Sequence, residues 1–405
     1  MMISVEVALE RICGALAALP AEQVSLTEGL GRVLAAAVAA RTTQPPVAVS
    51  AMDGYAVRAA DLADPPVTLR LIGEAPAGGA HEGTVGPGET VRILTGGPVP
   101  DGTDAIVMQE DCAADGDAVT VRQGVAPGAH VRPAGLDFRA GDIGLAAGRV
   151  LTARDIGLAA AMNVPWLSVR RRPRVAILAT GDEVVMPGDP RGPYQIVGSN
   201  GLALSAFVTA CGGVPMNLGI ALDNRESLLA LAAGARGADL LVTTGGVSVG
   251  DHDLIQAVLG EHGLEVAFWR IAMRPGKPLM FGHLGDTPML GLPGNPVSAL
   301  VCALVFLRPA MQAMLAAEPA ITPTVSALVT RELGRNDRRQ DYLRARLGRD
   351  PGGALTVTPF DRQDSSMLSH LAHADCLIVR PPHADPVAAG TQIQVLPIGG
   401  GASNV

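Results

Sequence analysis

The chain has 405 residues, too many for one ordinary domain, and length alone suggests two to four. Aromatic residues make up 3%, so the ring platforms that bind single-stranded nucleic acid are scarce. The net charge of −8 argues against nucleic acid or an acidic membrane surface as the main partner. An anionic substrate must therefore find a local basic pocket in an acidic protein.

At the N-terminus Val5, Leu9, Ile12, Leu16 and Leu19 recur at helical spacing, predicting an amphipathic helix ended by Pro20. Glu6, Glu10 and Arg11 interrupt any apolar core of a signal peptide, so a cytoplasmic protein is expected. The chain then turns extended up to Gln44-Pro45-Pro46. Between 46 and 130 it reads as short strands, 67–72, 90–94, 105–108 and 118–121, separated by Gly, Pro and Asp clusters. From 130 to 170 the character is mixed. A helix is expected over Thr152–Met162, with Thr152 and Asp155 as a capping pair.

From Arg174 to about 316 the texture changes. Continuous apolar runs at 174–179 and 240–242 are each followed by a glycine-containing turn and a helical stretch. Such alternation predicts a mostly parallel sheet covered on both faces. The longest apolar run, Val297–Leu307, is too short to span a bilayer and is expected to stop at Arg308-Pro309. The last 90 or so residues return to strand signals, as at 376–379 and 392–396. Five scattered cysteines form no disulfide framework or zinc pattern, and His370 and His373 stand three apart without further ligands.

Three loops in the α/β segment carry chemistry. Thr180-Gly-Asp-Glu183 follows the first strand. A second loop runs from Thr243 to Asp253 and contains Gly245, Gly246 and Ser248. The third, Gly291-Leu-Pro-Gly-Asn-Pro-Val-Ser298, leads into a long helix and includes Pro293, Asn295 and Ser298. Ligands of open α/β sheets bind outside the carboxyl ends of the strands, where helix N-termini point N–H groups at anions. Singly, a Gly-Gly turn is usually only a turn, and Glu183 or Asp253 only a first-turn acid. Three such loops at successive strand ends read as a site. Arg270, Arg274 and Lys277, around the Pro275-Gly-Lys-Pro278 turn, set positive charge beside these acids, although elsewhere they would read as a solvated surface strand. Upstream, Ser50-Ala-Met-Asp-Gly-Tyr-Ala56 could be a hairpin turn at Asp53, and Thr95-Gly-Gly-Pro-Val-Pro100 a strand cap.

In this order and spacing, the Ser50–Ala56, Thr95–Pro100, Thr180–Glu183, Gly245–Gly250, Pro275–Pro278 and Gly291–Ser298 motifs resemble the MoeA/gephyrin E-domain family along nearly the whole chain. The resemblance implies Asp53, Thr95, Asp137, Glu183, Asp223, Asp253, Arg270, Arg274 and Ser365 as catalytic positions. It implies substrate contacts at Gly245, Gly246, Ser248, Lys277, Pro293, Asn295, Ser298 and Arg344. Magnesium would be held by Glu183, Asp253 and Asp223. Arg270 and Arg274 stand where the family usually has lysines. They keep the charge but cannot give up a proton. Leu136 and Gly198 each replace a family carboxylate.

Four domains are implied: a split elongated domain (1–45 and 131–170), a β-rich insertion (46–130), an α/β domain (171–318) and a C-terminal β-barrel (319–405). The implied reaction inserts molybdenum from molybdate into adenylylated molybdopterin, releasing AMP. Arg274, Lys277, Arg344, Ser298 and Ser365 would take the oxyanion. A homodimer is implied, with the site between one subunit's α/β domain and the other's Asp53 region. A molybdopterin adenylyltransferase and apo-molybdoenzymes are possible partners. Two rival readings are a molybdopterin adenylyltransferase, expected as a short single domain like 174–316, and a non-catalytic cofactor-binding scaffold, expected with a linker and an extra module.

Overall fold

The computed structural model describes residues 2–246, 254–317 and 324–398. Contacts divide the chain into two compact units, one of Met1–Ala36, Ala147–Ala153 and Ser168–Val405, the other of Ala37–Ala146 and Arg154–Leu167.

The first unit is built on a six-stranded mixed sheet. Its order is Val214–Ala221, Arg174–Thr180, Leu240–Thr244, Thr287–Leu292, Met280–Leu284, Leu264–Trp269. The first four strands are parallel, and Met280–Leu284 runs antiparallel to its neighbours. Side chains alternate across the sheet. Val175, Ile177, Leu240, Val242 and Leu290 enter one core, and Ala176, Leu178, Leu241 and Met289 the opposite one. Both faces are dry, so the near-continuous apolar runs are what this sheet requires.

The N-terminal helix runs Val5–Gly14, capped by the Ser4 Oγ, which accepts from the Val7 N–H at 3.2 Å. It ends well before Pro20. Past the poor helix former Gly14, the Ala15 and Leu16 N–H groups tighten to Ile12 and Cys13 carbonyls. Leu16 and Leu19 still pack on the core, and the Leu19 N–H donates to Met314 O at 2.8 Å.

Nor does the chain stop being helical at Arg308-Pro309. One helix spans Pro296–Met314, with a π-helical turn at Ala303–Leu307. There the Arg308 N–H reaches back five residues to Ala303 O, which makes room for a proline that has no N–H and would crowd a regular turn. The helix is long and apolar enough to cross a membrane, but 67% of its most apolar window is buried inside the protein. It is the core helix of this unit.

Downstream, five strands close a barrel in the order Gln340–Arg349, Leu355–Pro359, Val325–Val329, Gln392–Pro397, Cys376–Arg380, the last pairing back with the first. Ala327, Val329, Ala345, Val357, Ile378 and Val395 fill it. The short strand Met273–Arg274 adds in parallel to Gln340–Asp341, tying the barrel to the α/β sheet.

The second unit carries a six-stranded sheet ordered Ala105–Met108, Gly54–Val57, Glu89–Ile93, Val67–Ala75, Ala118–Val121, Cys112–Asp115. Tyr55 and Val57 face one core, Ala56, Val91 and Ile93 another. A Cβ on Gly54 would stand 2.0 Å from Val107 O. Gly54→Ala is therefore expected to destabilise the protein by about 1–3 kcal/mol, as overpacking does. Gly157→Ala, in helix Ala153–Ala161 with nothing within 4 Å, should stabilise it by about 0.4–1 kcal/mol. Urea unfolding of both variants checks this pair, and equal signs would refute the packing argument.

Candidate functional site

The strands Arg174–Thr180, Leu240–Thr244 and Thr287–Leu292 are neighbours, so their C-terminal loops emerge side by side. They open on a cleft of about 1090 Å³. Helix Asn200–Ala210 and the core helix from Pro296 present their first residues to it. Gly245 allows the loops to meet. Its φ is +88°, and a Cβ there would lie 2.6 Å from Thr180 O. The Asn200 amide pins the second loop to the third, donating to Thr244 Oγ1 at 2.8 Å and Gly294 O at 2.7 Å.

Of the positions singled out in the sequence, Glu183, Asp223, Gly245, Gly246, Pro293, Asn295 and Ser298 line this cleft. Asp223 and Asp182 clasp one another through backbone N–H groups, at 2.8 and 3.4 Å. Desolvation raises the Asp223 carboxyl above its usual range, and the charges of Asp182 and Glu183 add to the effect. Among the described residues none of these three acids has an ion-pair partner. Ser248 and Asp253 lie outside the described residues.

Ser365 joins the site through Asn295, whose Nδ2 donates to Ser365 Oγ at 2.9 Å, while the Val297 N–H donates to Ser365 O at 3.1 Å. Its neighbour Ser366 lines the cleft. Behind this loop stands Arg344, only 1% exposed. Its Nη1 donates to Asp364 O at 2.8 Å and its Nε to Gln363 Oε1 at 3.1 Å. No carboxylate pairs with it among the described residues, since Asp364 Oδ1 accepts from the Ser366 N–H and hydroxyl. His370 is not isolated. It stacks on Phe360 with ring centroids 4.9 Å apart, at the base of the same loop.

The basic strand divides. Lys277 is exposed, next to the cleft-lining Pro278. Arg274 instead turns its guanidinium to the buried Asp341 and to Asp337, the latter at 3.4 Å. Asp337 is held down at about 2, chiefly by Arg339. Arg270 lies over the Trp269 ring, 5.1 Å from its centroid, at a φ of +118° that non-glycine residues rarely adopt. Below the turn the buried Cys302 Sγ faces Gly276 O. All five thiols are free.

In the second unit Asp53 is more than a turn residue. Its Oδ1 accepts from the Thr95 N–H at 2.6 Å and the Thr95 hydroxyl at 2.8 Å, and these bonds lower its carboxyl below the ordinary range. Asp137 lies elsewhere in that unit, in a cleft with Asp142 and Met162.

Residues 3–163 match the family model described as MoeA N-terminal region (domain I and II), 176–313 the probable molybdopterin binding domain, and 326–398 the MoeA C-terminal region (domain IV). The chain is 39% identical to molybdopterin molybdenumtransferase 2 of Mycobacterium tuberculosis over 92% of its own length and 94% of the relative's. The chain belongs to the MoeA family. It is 33% identical to the molybdopterin molybdenumtransferase of Bacillus subtilis, covering 97% of this chain and 94% of that one. The solved MoeA protein of Pyrococcus horikosii superposes with a TM-score of 0.84 at 30% identity, over 99% of this chain and 100% of that one.

Within this MoeA-type cleft, three polar residues have no role assigned from the sequence, although Thr180 and Thr244 fall within its loops. Asn200 and Thr244 carry the loop-to-loop bonds. Thr180 is 6% exposed and lines the cleft, yet its Oγ1 has no hydrogen-bond partner among the described residues. The available signal was the shared strand ending, Thr180-Gly181 and Thr244-Gly245, which puts a hydroxyl beside a backbone free to turn. Thr180→Val deletes an unpartnered buried hydroxyl and keeps its shape, so it should raise unfolding stability by ~1 kcal/mol. Calorimetry in the absence of substrate checks this, and a comparable loss would mean that the hydroxyl is bonded.

Proposed function

We propose that this MoeA family member inserts molybdenum from molybdate into adenylylated molybdopterin, releasing AMP and forming molybdenum cofactor. One observation carries the reading: Arg344, a buried guanidinium without a carboxylate partner among the described residues, stands at the foot of a serine loop on the cleft. A buried cation is costly unless an anion accompanies it. Burial already depresses the Arg344 pKa, so its surroundings favour an incoming oxyanion. Ser298, Ser365 and Lys277 supply further donors for a tetrahedral dianion. Arg274 spends its charge on Asp341 and Asp337, so its part is to fix the turn that presents Lys277.

At the other side of the cleft, Glu183 and Asp223 offer hard oxygen ligands with no ion-pair partner among the described residues. That donor set fits magnesium, which commonly takes one or two carboxylates and completes its shell with water and phosphate oxygens. No group of three or more His, Cys, Asp or Glu able to hold a metal occurs among the described residues. Glu183 and Asp223, with Asp253, would hold the ion, and its charge would neutralise the phosphates at the bond to be cleaved. Molybdate dianion and phosphoanhydride repel one another until cations screen them. The two molybdopterin sulfurs would then bind molybdenum as one molybdate oxygen leaves as water with the thiol protons, and no protein thiol is needed.

The same proposal includes a cytoplasmic homodimer in which Asp53 and Thr95 of one subunit complete the other's site. Inactive Asp53→Ala and Glu183→Gln proteins, once their subunits exchange, should then recover about a quarter of wild-type activity per subunit. Exchange without recovery would put Asp53 to work within its own chain.

The direct test incubates purified protein with adenylylated molybdopterin, molybdate and magnesium, and follows AMP. Glu183→Gln should release AMP roughly ten- to a hundredfold more slowly with the fold intact, as loss of a charged contact implies. In a parallel incubation with molybdopterin, ATP and magnesium, pyrophosphate release would instead indicate an adenylyltransferase, and turnover in neither incubation a scaffold.

A further inference from the structure

We propose that Gln363 is the positioning residue of the oxyanion site, an uncharged clamp that fixes Arg344 while leaving its charge for the ligand. This rests on the reading of Arg344 as the oxyanion-binding cation. The geometry is specific. Gln363 Oε1 accepts from the Arg344 N–H at 3.0 Å and from its Nε at 3.1 Å. Gln363 Nε2 donates to Arg344 O at 3.0 Å and to Phe360 O at 3.1 Å. Two donors face one end of the amide and two carbonyls the other, so the assignment of oxygen and nitrogen follows from the network. A glutamate of the same length could satisfy the donors but would bring a charged oxygen against both carbonyls.

The consequence is electrostatic. Arginines buried in proteins are ordinarily matched to carboxylates, and this chain does so at the buried Arg32 with Glu22. At Arg344 the same restraint comes from a neutral amide and one backbone carbonyl. The guanidinium is held in place without a direct ion pair among the described residues, and the nearby Asp364 carboxylate, turned to Ser366, offsets its charge only from a distance. The Nη2 group has no hydrogen-bond partner among the described residues and remains available. Through the Asp364 carbonyl the clamp also sets the loop that carries Ser365 and Ser366. Anion affinity therefore depends on Gln363 being both a hydrogen-bonding partner and neutral.

The test titrates purified full-length protein calorimetrically with sodium molybdate, over a range of ionic strengths, using wild type, Gln363→Glu, Gln363→Met and Arg344→Met. Gln363→Glu should weaken molybdate binding by about ten- to a hundredfold and flatten its salt dependence, because one cation has been neutralised. Gln363→Met should weaken binding by less and keep the wild-type salt slope, because only the orientation is loosened. In turnover, both should raise KM for molybdate more than they lower kcat. A merely structural role would not change the salt slope selectively. Circular dichroism confirms that each variant folds, and if Gln363→Glu does not, Gln363→Met decides. Wild-type affinity in a folded Gln363→Met and, where it folds, Gln363→Glu would overturn the clamp while Arg344→Met still lost binding. Unchanged binding in Arg344→Met, or none in wild type, would overturn the oxyanion reading itself and the clamp with it.

Discussion

A parallel sheet buried on both faces has only its edges and strand ends available for polar chemistry. In this chain that constraint governs everything else. The strands from Arg174 to Leu292 spend their side chains on two dry cores. Function is thereby confined to the loops at their carboxyl ends, and those loops must pack closely enough to share one cleft. Gly245 against the Thr180 carbonyl is where that closeness is sharpest. The barrel strand Gln340–Arg349 obeys the same logic from outside. It is long enough to close the barrel, receive Met273–Arg274 and place Arg344 beside the cleft loops.

The cleft is electrically divided. Asp182, Glu183 and Asp223 gather negative charge on one wall, and that crowding is felt in the raised Asp223 carboxyl. Arg344 holds positive charge behind another. Several other charges of the chain are neutralised in pairs, as in Arg171 with Asp239 and Arg225 with Glu261. Unpaired charge of both signs around one cavity is the arrangement expected for a ligand that brings its own anion and divalent cation.

Much of the fold was legible because its strands are either continuously apolar or bounded by Gly, Pro and Asp. The runs at 105–108 and 118–121 reappear unchanged as strands, and 174–179 extends by one residue. The loops were legible because glycine and carboxylates after an apolar run have few other uses. Their specific family came from motif order, which physical reasoning alone did not supply. What stayed hidden depends on tertiary partners. Pro20 and Pro309 were read as stops, but the first helix ends on local geometry at Gly14, and the second continues because a π turn absorbs the proline. Arg274 looked like part of a basic cluster, and only the fold reveals the two carboxylates it faces. Gln363 carries no signature at all, since an amide in a loop is ordinary until its four partners are known.

The π turn at Ala303–Leu307 also makes residue number a structural quantity in the core helix. One extra residue per turn rotates everything downstream by roughly 100° relative to a regular helix. With that rotation, Ala310, Met311 and Met314 fall in the same core as Val297, Val301 and Phe306. A single deletion within the turn would restore regular helical geometry and keep the following apolar stripe in phase, but would remove the room made for Pro309. The segment should tolerate exchange of one aliphatic side chain for another more readily than any change in its length.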